Sequence, residues 1–394
     1  MTFLQRLDSD ESFRKEQFPC LQDDRVFLAH AAIATVPKVV VDAMAEYNRA
    51  SSTGELDYSE LLIDRMNQAR KSAAGIIGAN AQEIALLGPT SLGLSLVANG
   101  IDFEPGDEVI CYQDDYPANV YPWMDLERSH QTKTVFLKPD RPGEITPDLV
   151  ADAISERTRL IALASCHFLT GYRIDVDSIG RRIRETSDRA LFCLDAIQTV
   201  GAYPTTVEHV DFLSADSHKW MLGPMSAGIF YVSEKHLENL RPALLGAFNV
   251  KSTNFITRDR VEFENGARRY EPGVLNVQGI LGMETAIKLL NETVGIDAVS
   301  SRLNELKELL VRRLLERDFE ILGEASGANS SAITSVTHPD RDLIGDLYRK
   351  LLEKNVVTSF RPDRSGTPII RFSHHFYNNE KDLDRVFEAI ERAI

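Results

Sequence analysis

The chain lacks the features that would place it in a membrane, in a disulfide-stapled fold or on a nucleic acid. No apolar run approaches the roughly 18 residues that span a bilayer. The start, MTFLQRLDSDESFRKEQF, is charged and has no apolar core of the kind a signal peptide carries. Cysteine is scarce: Cys20, Cys111, Cys166 and Cys193 are the four present, with no CxxC spacing. Three of them lie in apolar, strand-like runs, so neither a disulfide framework nor a zinc site is expected and no metal is assigned. Basic charge is also short. Lys and Arg number 44 against 59 Asp and Glu, a net charge of −15, which speaks against nucleic acid or an anionic membrane as partner. There is no internal repeat and no low-complexity linker. A cytoplasmic enzyme is the expectation that these absences leave.

What is present is ordinary globular composition spread over 394 residues, more than one comfortable core, so two domains are expected. From about Glu83 to Val232 short apolar runs alternate with amphipathic stretches. The runs predict strands at Ile84–Leu87, Glu108–Tyr112, Thr134–Leu137, Leu160–Ser165, Ala190–Leu194, Phe212–Ser214 and Gly228–Val232. Helix-like segments such as Leu92–Asn99, Pro147–Ser155 and Val176–Ser187 lie between them. Strands alternating with helices predict an α/β fold with a mainly parallel, doubly wound sheet whose ligands gather beyond the strands' carboxyl ends. After Pro272-Gly273 the pattern changes to helices at Ile280–Glu292, Val299–Glu316, Leu343–Lys354 and Glu380–Ala393, with short strands near Ala332–Val336 and Ile369–Phe372. The expected division is a large domain over 26–275 and a smaller α+β domain formed by 1–25 and 276–394.

Lys219 is the residue with the most to say. It lies in Ser214-Ala-Asp-Ser-His-Lys-Trp-Met-Leu-Gly-Pro224, with Asp195-Ala-Ile-Gln198 placed 24 positions upstream of it. A desolvated lysine forms Schiff bases with carbonyls, and a carboxylate aimed at a pyridine nitrogen is the usual partner of lysine-bound pyridoxal phosphate. Most lysines are solvated; one at the carboxyl end of a sheet, amid Asp216, Ser217, His218 and Trp220, is harder to read that way. Asp195, at a buried-looking strand end, is a cap or a site residue, and Gln198 reaches the same pocket or is a loop glutamine. Thr90 and Ser91, in Gly88-Pro-Thr-Ser91 at a helix start, suit a phosphate cradle, although a Ser/Thr N-cap is the simpler reading of that segment alone. Tyr116, in the aromatic-rich Asp114-Asp-Tyr-Pro-Ala-Asn-Val-Tyr-Pro-Trp123, has the shape to lie on a heteroaromatic ring or to act as a core lid. Arg371, in Ile369-Ile-Arg-Phe-Ser-His-His-Phe-Tyr-Asn378, suits a bidentate grip on a carboxylate, or a surface salt bridge. Taken singly each residue has a bland reading; their co-occurrence along one α/β chain does not.

With these residues in place, the chain resembles the class V aminotransferases, pyridoxal 5′-phosphate (PLP) enzymes of fold type I that include cysteine desulfurases, kynureninases and isopenicillin-epimerase-like proteins. The likeness runs from Val26-Phe-Leu-Ala-His-Ala-Ala32 to the Arg371 segment. It implies Lys219 as the Schiff-base lysine, Asp195 at the pyridine nitrogen, Gln198 near the phenolic oxygen and Tyr116 on the ring. It implies Thr90, Ser91 and His218 at the phosphate, Arg371 at the substrate α-carboxylate, and His30 and Ala31 along the substrate pocket. Three positions depart from the desulfurase pattern. The stretch Val357-Thr-Ser-Phe-Arg-Pro-Asp-Arg-Ser-Gly366 holds no cysteine where the desulfurases carry their nucleophile. Asp216 stands where they have a phosphate-binding serine, so either Ser217 compensates or the carboxylate orients His218. Val274 replaces a threonine that reaches the neighbouring subunit's phosphate.

The expected activity is therefore removal of an amino acid's α-proton by Lys219, with an aminotransferase preferred. A β-elimination (C–S) lyase or an epimerase is the runner-up, and a desulfurase ranks below both for want of the loop cysteine. A non-catalytic scaffold is the remote alternative. Elimination calls for an acid at the leaving group, with His30 or the His374–His375 pair as candidates. The resemblance also implies a homodimer, with the stretch from Arg269 to Asn276 reaching across.

Overall fold

The computed structural model describes residues 1–58, 60–252 and 255–392. After a first short strand, β1 (Val26–Phe27), the apolar runs form one sheet from β2 (Ile84–Leu86), β3 (Glu108–Tyr112), β4 (Lys133–Leu137), β5 (Thr158–Ala164), β6 (Leu191–Asp195), β7 (Phe212–Asp216) and β8 (Gly228–Val232). Their order is β2-β8-β7-β6-β5-β3-β4. Strand β8 runs antiparallel to both of its neighbours, and the other pairings are parallel. Strands covered on both faces need unbroken apolar runs rather than alternation, and β6, β7 and β8 are buried at every position. Ile161, Phe192 and Leu213 face one core, whereas Leu160, Cys193 and Phe212 face a second.

Helices cover both faces of this sheet. Two short ones, α1 (Phe3–Ser9) and α2 (Glu11–Gln17), precede β1, and α3 (Lys38–Thr53) and α4 (Met66–Ile77) follow it. The next four, α5 (Thr90–Gly100), α6 (Tyr121–His130), α7 (Pro147–Ala153) and α8 (Val176–Thr186), alternate with the strands. Helix α5 is pressed onto β7 because Gly93 has no side chain: a Cβ there would lie 2.4 Å from Ser214 Oγ. Ser214 Oγ in turn donates to Thr90 O at 3.0 Å. This contact sets the start of α5 beside the carboxyl end of β7.

The remainder of the chain builds a second sheet from β9 (Glu320–Leu322), β10 (Ile333–Thr337), β12 (Ser359–Pro362) and β13 (Pro368–Ser373), ordered β12-β13-β10-β9 and antiparallel throughout. Strand β11 (Val356–Val357) pairs instead with β1, in parallel. After α9 (Val277–Lys288), the helices α10 (Ile296–Leu315), α11 (Arg341–Glu353) and α12 (Glu380–Glu391) complete this part. Leu303, Leu306 and Leu310 of α10, Ile344, Leu347 and Leu351 of α11, and Leu383, Val386 and Phe387 of α12 recur at three- and four-residue spacing and are buried. Arg14 of α2 reaches this part, donating to Asp382 at 2.8 Å and to Tyr377 O at 3.2 Å. No helix among the described residues is long and apolar enough to cross a membrane.

Several boundaries differ from the sequence expectation. The helix expected to run to Glu292 is α-helical only to Lys288 and widens into a π turn over Leu289–Val294. The last helix ends at Glu391; Ala393 lies outside the described residues. Strand β6 extends to Asp195 and β7 to Asp216, so both acids belong to the strands rather than to the loops beyond them. Strand β12 had no apolar alternation to reveal it. It is an edge strand of four residues ending in proline, held by pairing to β13 alone.

The tight seat of α5 gives a stability test. Gly93→Ala is expected to lower the unfolding free energy by about 1–3 kcal/mol through overpacking. Gly75→Ala in α4, where nothing lies within 4 Å of the new Cβ, is expected to gain about 0.5–1 kcal/mol. Urea midpoints of the two variants check this.

Candidate active site

Neighbouring parallel strands bring the chemistry together. Asp195 is the last residue of β6, and in register it faces Ser214 of β7, two residues before Asp216. Beyond β7 the chain turns back sharply through residues 217–224. Gly223 N donates to Ser217 O at 2.8 Å, Leu222 N to Lys219 O at 3.1 Å and Ser217 Oγ to Pro224 O at 2.7 Å. Leu222 takes a positive φ of 57° inside this turn, a conformation that costs a bulky residue about 1–3 kcal/mol and that the surrounding bonds must hold. The turn delivers Lys219 into a cavity of about 310 Å³ beyond the strands' carboxyl ends.

Eight of the residues singled out in the sequence line that cavity: Ala31, Thr90, Ser91, Tyr116, Asp195, Gln198, His218 and Lys219. The Tyr116 ring centre lies 5.5 Å from Lys219 Nζ. Asp195 accepts from Ile197 N at 3.1 Å through Oδ1, and its Oδ2 has no hydrogen-bond partner among the described residues. Gln198 spends its amide on neighbours, donating to Ala31 O at 3.1 Å and accepting from Trp220 Nε1 at 2.8 Å. The helix α5 is capped by Pro89 with no side-chain bond, so Thr90 and Ser91 are not the N-cap that the segment alone suggested. Thr90 Oγ1 instead accepts from Asp216 N at 2.9 Å.

Three expected residues stand elsewhere. His30 is fully buried behind the wall, its Nδ1 bonded to Ser373 O at 2.8 Å and its Nε2 to Tyr377 OH at 2.7 Å; Ala31 lines the pocket in its place. Asp216 is also buried, bonded to His218 Nδ1 and accepting from Ser226 N at 3.1 Å. It therefore orients His218 from behind rather than entering the cavity. Arg371 sits one layer back, donating from Nη1 to Phe168 O at 2.5 Å, and its Nε and Nη2 are buried without a partner. The acids proposed for a leaving group fail on burial. His374 and His375 are wholly enclosed and bonded to Leu303 O and Trp220 O. Burial pushes His30 down to about 4 and His374 to about 3, and moves His375 the same way. All three are neutral near pH 7.

Two contributors escaped the sequence reading. Asp115 is buried; it accepts from Asn119 Nδ2 at 3.0 Å and from Tyr116 N at 2.7 Å, fixing the turn that carries Tyr116. The four-residue steps Asp115–Asn119–Trp123, with Trp123 Nε1 donating to Asn119 at 3.2 Å, were the signal available. Arg361, on the unrecognised β12, lines the cavity as well.

Electrostatics follow from this burial. Desolvation pushes Lys219 down to about 8, opposed by Asp195 and reinforced by Arg371 and Arg361. Desolvation and then repulsion from Asp115 push Asp195 up to about 7. A buried carboxyl in that state, with one oxygen unclaimed, is stabilised by a protonated ring nitrogen. A lowered lysine pKa is not by itself a mark of this site: burial pushes Lys307 down to about 7, yet its Nζ donates to Ile333 O at 2.7 Å and no carboxylate among the described residues pairs with it. A desolvated lysine of lowered pKa, an unsatisfied aspartate, an aromatic face and a helix start around one cavity fit pyridoxal phosphate.

Such a site on a mainly parallel, doubly wound sheet defines a PLP-dependent enzyme of fold type I. The family model described as aminotransferase class-V matches residues 26–386, and the chain belongs to that family. A relative named a probable cysteine desulfurase, from Methanothermobacter thermautotrophicus, is 28% identical over 96% of each chain. Among solved structures, the apo cysteine desulfurase of Thermococcus onnurineus NA1 superposes with a TM-score of 0.86 at 23% identity, over 97% of each chain. The cystine C–S lyase C-DES, solved with its reaction product cysteine persulfide, gives 0.84 at 18% identity, over 96% of this chain and 99% of its own.

The lysine pKa has a direct readout. Only the neutral amine attacks an aldehyde, so cofactor uptake by the apoprotein is expected to accelerate through about pH 8 and level off above it. A solvated lysine would titrate near 10.4. Stopped-flow visible absorbance measures the profile, and Lys219→Ala is expected to give no signal.

Proposed function

We propose that the chain is a PLP-dependent lyase that eliminates a sulfur substituent from the β-carbon of an amino acid. The observation that carries the reading is the buried, low-pKa Lys219 sharing one cavity with Asp195. In this reading Lys219 holds the cofactor, Asp195 meets its ring nitrogen, Tyr116 covers the ring, and Gln198 stands at its phenolic oxygen. Thr90, Ser91 and His218 take the phosphate, with Asp216 positioning His218. Arg371 takes the substrate α-carboxylate once a movement beside Phe168 exposes its unpaired nitrogens. Bound there, pyridoxal phosphate supplies an electron sink for the pair left when an α-proton departs.

The chain's own residues do the rest. The neutral Lys219 amine takes the α-proton. The C–S bond breaks, the sulfur keeps its electron pair, and the three-carbon enamine that remains takes up one water to end as pyruvate and ammonia. A thiol-derived leaving group has a pKa near 8.5 and departs as an anion without an acid, which suits a wall whose histidines are neutral and enclosed. The relatives' names support sulfur chemistry. The stretch 357–366 has no cysteine, and burial raises the thiol pKa of all four cysteines, which supports release of sulfur into solution rather than onto a protein thiolate.

Transamination is the second reading. The same absence of a leaving-group acid favours it, since it needs only Lys219 to move the proton. The two are separated by incubating the holoprotein with an amino-acid panel. Pyruvate, ammonia and sulfide are expected; a 2-oxo acid with the cofactor left in its amine form would support transamination. Lys219→Ala is expected to reduce either rate by about 10²–10⁴.

The proposal includes a homodimer in the cytoplasm. Residues up to 272 of the proposed cross-subunit stretch are anchored internally. Arg269 bonds Leu237 O at 2.6 Å, and Glu271 pairs with Arg70 and accepts from Leu86 N at 2.8 Å. Val274 beyond them is 70% exposed, which suits a contact with a second copy. Light scattering is expected to give twice the chain mass. The four unpaired cysteines support a reducing compartment.

A further inference from the structure

A second cavity, of about 300 Å³, nearly equals the catalytic one in size and shares none of its lining residues. Its inner end is formed by buried residues at the carboxyl end of the large sheet: Ser165 after β5, Leu194 of β6, and Thr199 and Tyr203 beyond it. Its rim is the start of α8 and the loop between β9 and β10. The two cavities stand back to back. Ser165 lines one and Asp195 the other, and Ser165 donates to Asp195 O from its N–H at 2.8 Å and from its Oγ at 3.1 Å.

Arg173 supplies this cavity with a cation that no acid meets among the described residues. Its guanidinium lies on Tyr203, 4.2 Å from the ring centre. Its Nε donates to Ser330 O at 3.3 Å and its Nη2 to Ala328 O at 2.7 Å, and Nη1 has no partner among the described residues. The backbone around it is fixed too. Arg173 N donates to Asn329 O at 2.8 Å, and Asn329 Nδ2 donates to Arg173 O at 2.8 Å. The charge is thus held in place before any ligand arrives.

The opposite sign stands at the start of α8. Asp175 accepts only from Ser178, at 3.0 Å from N and 2.8 Å from Oγ, so each oxygen keeps room for a further donor. Asp177 is more committed, to Arg181 at 2.6 Å and to His209 at 3.5 Å. Asn329 Oδ1 accepts nothing among the described residues. Ile174, Leu194 and the Tyr203 ring supply apolar wall. Apolar walls with a few placed polar groups suit a small organic ligand. One carrying both signs answers Arg173 and the acids together. A dianion would meet Asp175 and Asp177, and a simple amine would leave Arg173 unanswered.

We propose that this cavity binds a free α-amino acid with an apolar side chain, non-covalently and as its zwitterion. The carboxylate meets Arg173 Nη1, the ammonium meets Asp175 and Asn329 Oδ1, and the side chain lies against Ile174, Leu194 and the Tyr203 ring. The assignment rests on charge and shape and does not depend on the reaction at Lys219. The bound amino acid lies against the residues that hold the Asp195 carbonyl.

The test uses holoprotein reduced with borohydride, in which the cofactor is fixed to Lys219 and no amino acid can replace the lysine. Leucine is titrated by calorimetry beside leucinol, which lacks the carboxylate, and 4-methyl-2-oxopentanoate, which lacks the ammonium. Saturable leucine binding is expected, tighter than either analogue by about tenfold or more, the factor that one charge-assisted hydrogen bond supplies. Arg173→Gln is expected to remove the advantage over leucinol, and Arg173→Lys to retain part of it. Asp175→Asn, which keeps a good helix cap, is expected to shrink the advantage over the oxo acid. Retained cofactor absorbance shows that each variant is folded, and Arg371→Gln is expected to change neither ratio. No saturable binding of leucine by the unaltered protein would overturn the proposal, as would an oxo acid that binds equally well. So would leucine binding lost in Arg371→Gln and kept in Arg173→Gln, which would place the ligand in the catalytic cavity. The same ratios are expected from cofactor-free protein, so a failure of the cofactor reading leaves this result intact.

Discussion

The site depends on charge gathered in a cavity with too little protein to neutralise it. Lys219, Asp195, Asp115, Arg361 and Arg371 lie within electrostatic reach of one another. In a low-dielectric space such groups either find partners or lose their charge. Lys219 and Asp195 drift towards neutrality, and the two arginines keep nitrogens unpaired. In the proposed function each shortfall has a match in the cofactor and its substrate: a ring nitrogen for Asp195, an aldehyde for Lys219, a carboxylate for Arg371. The cavity is stable as a site because the fold around it is rigid enough to hold these groups short of satisfaction.

That rigidity has identifiable sources. The turn over residues 217–224 is closed by bonds on both sides of Lys219, and Leu222 is held in a strained conformation within it. Trp220 is fixed by Gln198 on one side and His375 on the other. The enclosed histidines thus act as buttresses. Their ring nitrogens join β13, the segment after β1 and the lysine turn, which is why burial could make them neutral without loss of structure. Asp216 serves in the same way, bracing His218 and the backbone at Ser226.

Much of this was legible in the sequence because parallel strands buried on both faces leave long apolar runs, and ligands collect where such runs stop. Asp195 and Asp216 stand at two of those stops, and Lys219 follows the second in the next turn. What escaped was set by pairing across the chain. Arg361 is brought to the cavity by register with β13, through a short proline-ended edge strand without alternation. Asp115 sat in an Asp-Asp pair that reads as a solvated acid run, whereas the fold buries it and satisfies it from Asn119 and the Tyr116 backbone. His30 and the His374–His375 pair have the composition of acid–base residues, but tertiary enclosure made them structural. The start of α5 looked like a hydroxyl cap because Ser and Thr are good caps; Pro89 took that position instead.

The central claim, that Lys219 is the lysine that binds the cofactor, is tested most directly by chemical trapping. The holoprotein is reduced with borohydride and digested, and the modified lysine is located by mass spectrometry. The cofactor adduct is expected on the peptide containing Lys219 and on no other. An adduct on Lys307, the other buried lysine whose pKa burial depresses, or no adduct at all in protein that has taken up the cofactor, would contradict the account.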